Sequence, residues 1–199
     1  MKDNNQKKLS KKFWIITFIF SLIVICFFIV GVVVFVNKKP EVINKTSYGG
    51  TIKLNYTSNS NVFSIENLKL ISDDEGMKML DAGMYYDFSV VSNLNKSKNV
   101  TYEISIEKVL GKSNVDDKDI KIYLEKEDSG SYKSVLKPTN YQIIKKTSNV
   151  GTKKGMVLYK NTINKSSTDN YRLRIWLSDK SSLTEGKYAV EVNINAKAK

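Results

Sequence analysis

From Thr51 onward the apolar residues return at every second position, and that period dictates what the chain can build. TIKLNY puts Ile52, Leu54 and Tyr56 on one face. YYDFSVVSN puts Tyr86, Phe88 and Val90 on one face and Asp87 and Ser89 on the other. VTYEISIEKV sends Tyr102, Ile104 and Ile106 inward and leaves Glu103, Ser105 and Glu107 outward. DIKIYLEKE aligns Ile120, Ile122 and Leu124; GMVLYKN and YRLRIWLS follow; YAVEVNINA closes with Val190, Val192 and Ile194. Successive side chains of a strand point to opposite faces, so each run reads as a strand with one buried and one solvated face. Turn formers separate the runs, among them Asp116-Asp117, Ser129-Gly130, Pro138-Thr-Asn140 and Glu185-Gly186. About seven to nine short strands so punctuated predict an all-β fold, an antiparallel, jelly-roll-like β-sandwich over residues 51–199. After Val36 only Asp73 to Met79 offers a short turn of helix.

Ahead of this region, 13–36 is a run of 24 residues without a charge. A helix of that length covers about 36 Å at ~1.5 Å per residue, enough for a hydrocarbon core of roughly 30 Å. A helix in a soluble core would show a polar face, and this one has none. Lys2, Lys7, Lys8, Lys11 and Lys12 precede the run against Asp3, and Lys38 and Lys39 follow it. The heavier basic flank keeps residues 1–12 cytoplasmic and exports the rest. The run exceeds the h-region of a signal peptide, and Val34-Phe35-Val36-Asn37 lacks the small residues of a cleavage site. The expectation is an uncleaved, single-pass transmembrane signal anchor at 13–36, a linker at 37–50 with Pro40 and Gly49-Gly50, and an extracellular domain at 51–199.

The net charge is +12. Five lysines and Asp3 give the tail +4, Lys38 and Lys39 add +2, and +6 remains on the exported part. That excess suits a polyanionic cell wall or anionic lipid, although the lysines are scattered as ordinary solubilising charge is.

The order of segments resembles the TasA/camelysin family of bacterial envelope proteins. The resemblance covers roughly Gly50 to Ala196. GTIKLNY stands at the family's first strand, FSIENLKL…DAGMYYDFSVVSN at its approach to an aromatic-x-Val-x-Asn strand, and VTYEISI at the Tyr-x-Ile strand that follows. Asp81-Ala82-Gly83 replaces the family's Pro-Gly turn. The resemblance implies a hydrophobic N-terminal segment followed by a jelly-roll-like sandwich, and fibre or matrix assembly as function.

The chain has no histidine, and its one cysteine, Cys26, lies in the apolar run. Histidine-based triads, His-built zinc sites and exported thiol nucleophiles are therefore excluded. No phosphate-binding loop or nucleic-acid module appears. The reading is no enzyme, no cofactor and no metal. Three acidic clusters, Asp73-Asp74-Glu75, Asp116-Asp117-x-Asp119 and Glu125-x-Glu127-Asp128, offer oxygens for calcium, but none fits an EF-hand loop and solvated turns are the plainer reading. A basic loop from Lys145-Lys146 to Lys153-Lys154 offers contact with a polyanion, against a solvated loop.

One stretch stands apart. Of 32 basic residues 30 are lysine, and the two arginines sit together in NYRLRIWLSD beside Trp176. As a strand this stretch sends Tyr171, Leu173, Ile175 and Leu177 to the core and lines Arg172, Arg174 and Trp176 along the other face. A guanidinium is flat and weakly hydrated, so it lies on an aromatic ring while its edge bonds a carboxylate. The expectation is a structural Arg–Trp–Glu ladder on the outer face, with Glu103, Glu107 or Glu191 of a neighbouring strand supplying the acid. Tyr85, Tyr123, Tyr159 and Trp176, off the core parity, offer an aromatic platform instead. Two functions follow. One is a membrane-anchored extracellular envelope protein with a structural or assembly role. The alternative is an anchored module that recognises a wall polysaccharide or another surface ligand.

Overall fold

The chain divides into two units, Met1–Lys39 and Pro40–Lys199. The computed structural model describes residues 41–45, 50–56, 60–81, 83–94, 99–146 and 155–198, together with residues 18 and 21 of the first unit. The expected anchor at 13–36 thus falls almost wholly outside the described residues, among which no helix is long and apolar enough to cross a membrane.

The alternating runs become strands. In chain order they are β1 (Glu41–Lys45), β2 (Thr51–Tyr56), β3 (Val62–Ile71), β4 (Tyr85–Asn93), β5 (Val100–Lys108), β6 (Ile120–Asp128), β7 (Ser131–Asn140), β8 (Met156–Ile163), β9 (Ser167–Ser178) and β10 (Glu185–Ala198). One short helix, α1 (Asp73–Lys78), lies between β3 and β4 where the turn of helix was expected. β1 falls inside the stretch read as linker.

Hydrogen bonding sorts the strands into two groups. The first runs β1-β2-β4-β9-β6-β7 and the second β3-β10-β5-β8. All pairs are antiparallel except one. The end of β3 pairs in parallel with β9 through Leu70↔Leu177 and Ile71↔Ser178, which joins the groups and makes the sheet mixed. Ile52, Leu54, Phe88, Ile122 and Leu173 of the first group share one apolar cluster with Phe63, Tyr102, Ile104, Val192 and Ile194 of the second. The fold is mostly β and consistent with the expected β-sandwich.

Strands β3 and β7 do not announce themselves in the sequence, for physical reasons. In β3, Tyr188↔Ile65 is followed by Gly186↔Leu68, so β3 carries one extra residue. Such a bulge breaks the period of two, and two exposed residues, Glu66 and Asn67, stand in a row. β7 is an edge strand bonded only to β6, so it needs no buried face and tolerates Pro138.

The second group departs from the expected half-solvated pattern. Glu103 and Ser105 occupy outward positions of β5, and Asn193 and Asn195 face them from β10. All four are nonetheless buried. Lys160 Nζ lies 3.1 Å from the Glu103 carboxylate.

Candidate functional site

The arginine-bearing strand β9 is the hub of the first group, with β4 along one side and β6 along the other. Its parity is as expected. Tyr171, Leu173, Ile175 and Leu177 are buried in the common core. Arg172, Arg174 and Trp176 share the opposite face, but that face is covered: Arg174 is 3% exposed and Trp176 1%.

The cover is the connection from Ser72 to Met84. Ser72 caps α1: its Oγ accepts from Glu75 N at 3.3 Å, and Glu75 Oε2 accepts from Ser72 N at 3.1 Å. Two of the four orphan donors of the helix start are thereby served. The helix lies so close to the sheet that a Cβ on Gly76 would stand 2.5 Å from the Trp176 ring. Glycine is required there for approach. Beyond the helix, Arg174 Nε donates to the Met79 carbonyl at 2.7 Å and pins the connection to the sheet.

The guanidinium groups are held by carboxylates from both flanking strands. Arg172 Nε and Nη2 donate to the two oxygens of Asp87, directly across on β4, at 2.8 Å each. This fork-on-fork bond holds the guanidinium well above its ordinary pKa. Tyr85 and Tyr132 each place a ring centroid 4.4 Å from Arg172 Cζ. Arg174 Nη1 bonds Glu125 on β6, whose other oxygen accepts from Tyr123 Oη at 3.0 Å. Tyr123 in turn meets Trp176 edge-on at 6.4 Å. Farther along, Ser89 donates to Asn170 Oδ1 and Asn170 Nδ2 to Glu127, both at 2.7 Å.

A ladder exists, with different members from those expected. Glu103, Glu107 and Glu191 do not belong to it, because their strands β5 and β10 lie in the other group. Glu191 instead accepts from Asn61 Nδ2 at 3.0 Å. The acids are Asp87 and Glu125, both outward by parity; the sequence lacks the strand order that brings them to β9. The stacking partners of Arg172 are tyrosines, while Trp176 packs under α1. Of the expected aromatic platform, Tyr85, Tyr123 and Trp176 do gather here. Tyr159 does not: the register shifts between Ile104 and Ser105, and its ring lies 6.0 Å from the core ring of Tyr171.

A second polar cluster sits inside the core, at positions that share the inward parity of their strands. Tyr102 of β5 donates to Asp169 of β9 at 2.6 Å and shares a hydrogen bond with Tyr171. Lys126 Nζ reaches the other Asp169 oxygen at 2.9 Å. The network bolts one sheet group to the other. Burial pushes both phenols well above the ordinary tyrosine range.

The acidic clusters meet protein cations or donors. Lys108 Nζ lies 2.8 Å from Asp117, which also accepts from Tyr188 at 3.0 Å. Lys121 reaches Asp73 at 3.5 Å, and Lys133 pairs with Asp128. Among the described residues no group of three or more His, Cys, Asp or Glu is arranged to hold a metal ion. Of the basic loop, Lys145 and Lys146 are exposed and residues 147–154 lie outside the described residues.

No family model matches the chain, and no curated protein matches it. Among solved structures it is similar to TmCBM61 in complex with beta-1,4-galactotriose, at 9% identity over 74% of this chain and 88% of that chain, with a TM-score of 0.21. A likeness at that score carries no argument about fold or ligand.

Proposed function

We propose that the chain is a membrane-anchored, non-catalytic protein of the bacterial cell envelope, with a structural and assembling role outside the membrane. One observation carries the reading. The face that carries both arginines is committed to its own fold. Arg172 is bonded by Asp87 and stacked by Tyr85 and Tyr132, while Arg174 joins Glu125 to the Ser72–Met84 connection. A ligand platform would keep such groups free to meet a partner, and a catalytic site would hold a group poised to react.

The anchor at 13–36, with the N-terminus cytoplasmic, belongs to the same proposal and is supported by the length and flanking charge of the apolar run. A jelly-roll order within the sandwich and membership of a TasA/camelysin-like family belong to it too. The segments that carry the resemblance, TIKLNY, YYDFSVVSN and VTYEISI, coincide with β2, β4 and β5.

Sedimentation of the purified chain over a wide concentration range, with and without wall polysaccharide, tests the reading. A mass that grows with concentration and a melting midpoint indifferent to polysaccharide are expected. A monomer throughout, stabilised by polysaccharide in proportion to its concentration, would sink the proposal in favour of a binding module.

A further inference from the structure

The polar cluster inside the core sets an amine against a carboxylate. Lys126 of β6 lies opposite Tyr171 of β9, and Asp169 stands two residues before Tyr171 on the same face. Lys126 Nζ is 2.9 Å from Asp169 Oδ1. The other carboxylate oxygen, Oδ2, takes two donors from the opposite group of strands: Tyr102 Oη at 2.6 Å and Asn161 Nδ2 at 3.4 Å. With its own proton committed to Asp169, Tyr102 accepts from Asn161 Nδ2 at 3.2 Å and from Tyr171.

This division of the carboxylate separates the pair from an ordinary salt bridge. In the Lys108–Asp117 pair, Tyr188 donates to the same oxygen that the lysine meets. Around Asp169 the amine sits at one oxygen, and the other lies in a cradle of donors fit for an oxyanion. Cγ is one bond beyond Oδ1, so the bound amine is close to attacking distance of it.

We propose that Lys126 and Asp169 close into an isopeptide bond, an amide between Nζ and Cγ that the chain forms once upon itself. Nζ first passes a proton to Oδ1, which leaves an amine and a carboxylic acid. The amine attacks Cγ, and Oδ2 takes up the negative charge between Tyr102 and Asn161. Nζ then gives a second proton to the Oδ1 hydroxyl, the Cγ–Oδ1 bond breaks, and water leaves as the carbonyl at Oδ2 reforms. An ammonium and a carboxylate thus yield one amide and one water, with no oxidant or cofactor. Exchanging two partly shielded charges for a neutral amide relieves their desolvation. The chain has one cysteine, so no disulfide can form within it, and the amide supplies a covalent tie between β6 and β9 instead. The inference goes beyond the assembling role proposed above, because the bond lies within one chain whatever that chain assembles with.

Tryptic peptide mapping of the purified full chain by mass spectrometry reads the bond directly. Trypsin does not cut after an acylated lysine, so residues 122–133 stay together and are joined to residues 166–172. The joined species is expected one water lighter than the sum of its parts. Lys126→Arg keeps the charge without the amine and releases 166–172 unjoined. Tyr102→Phe removes an oxyanion donor and slows closure about a hundredfold, read as the unjoined fraction at intervals after synthesis. Unjoined peptides from the wild-type chain overturn the proposal and leave an ion pair. A join to residues 161–165 that is one ammonia lighter overturns it as well, since the acceptor is then Asn161. Closure of Tyr102→Phe at the wild-type rate overturns the part given to the phenol.

Discussion

Replacing Arg174 by lysine keeps the charge and removes the fork. Arg174 serves two acceptors on different elements, Glu125 of β6 through Nη1 and the Met79 carbonyl through Nε. A lysine ammonium is a compact point charge on a flexible stem and cannot reproduce that spread. If it keeps Glu125 it loses the connection over the sheet, and a hydrogen bond from a charged donor is worth about 1.5–3 kcal/mol. A domain of this size loses roughly 2–4 °C per kcal/mol, so Arg174→Lys lowers the melting midpoint by roughly 3–12 °C. Arg174→Met goes further, since it strands the buried Glu125 carboxylate, at a cost of about 3–5 kcal/mol. Glu125→Leu added to Arg174→Met recovers most of that loss, because no charge is then left unpaired. Thermal melts followed by near-ultraviolet circular dichroism read all three variants. An unchanged midpoint for Arg174→Lys, or a double variant no better than Arg174→Met, refutes the reasoning.

Gly76→Ala places a methyl group 2.5 Å from the buried Trp176 ring and costs about 1–3 kcal/mol, seen as a lower denaturant midpoint at unchanged slope. Tyr102→Phe removes the donor 2.6 Å from Asp169 inside the core and costs about 1–3 kcal/mol, read by the same denaturation. Tyr102, Tyr171 and Tyr188 all have raised pKa values, led by burial. The folded state therefore holds phenolic protons that the unfolded chain releases near pH ~10, so stability is full below that pH and falls above it. Absorbance at the phenolate band should show these tyrosines silent until the protein unfolds; free titration of every tyrosine near its ordinary value contradicts their burial.

Much of the fold was legible because period two is a local property. The seven runs read as strands all became strands, and the inward residues of β9 and β10 are those that alternation picked out. What was not legible is non-local. The bulge at Glu66-Asn67 hid β3, and the freedom of an edge hid β7. Strand order decided the site. Arg172 and Arg174 were conspicuous as the chain's two arginines, but their acids depend on which strands flank β9. Nothing local to Asp87 or Glu125 states that. Nor does parity alone tell an outer face open to water from one covered by a connection such as Ser72–Met84.

The central claim is that both arginines serve the fold. The chain has two arginines and no more, so its guanidinium Nε–H spectrum contains two resonances. Arg172 Nε donates to Asp87 and Arg174 Nε to the Met79 carbonyl. The account predicts two separate, sharp peaks with slowed solvent exchange, unmoved by wall polysaccharide. Two overlapping, rapidly exchanging peaks, or a peak that shifts when polysaccharide is added, would contradict it.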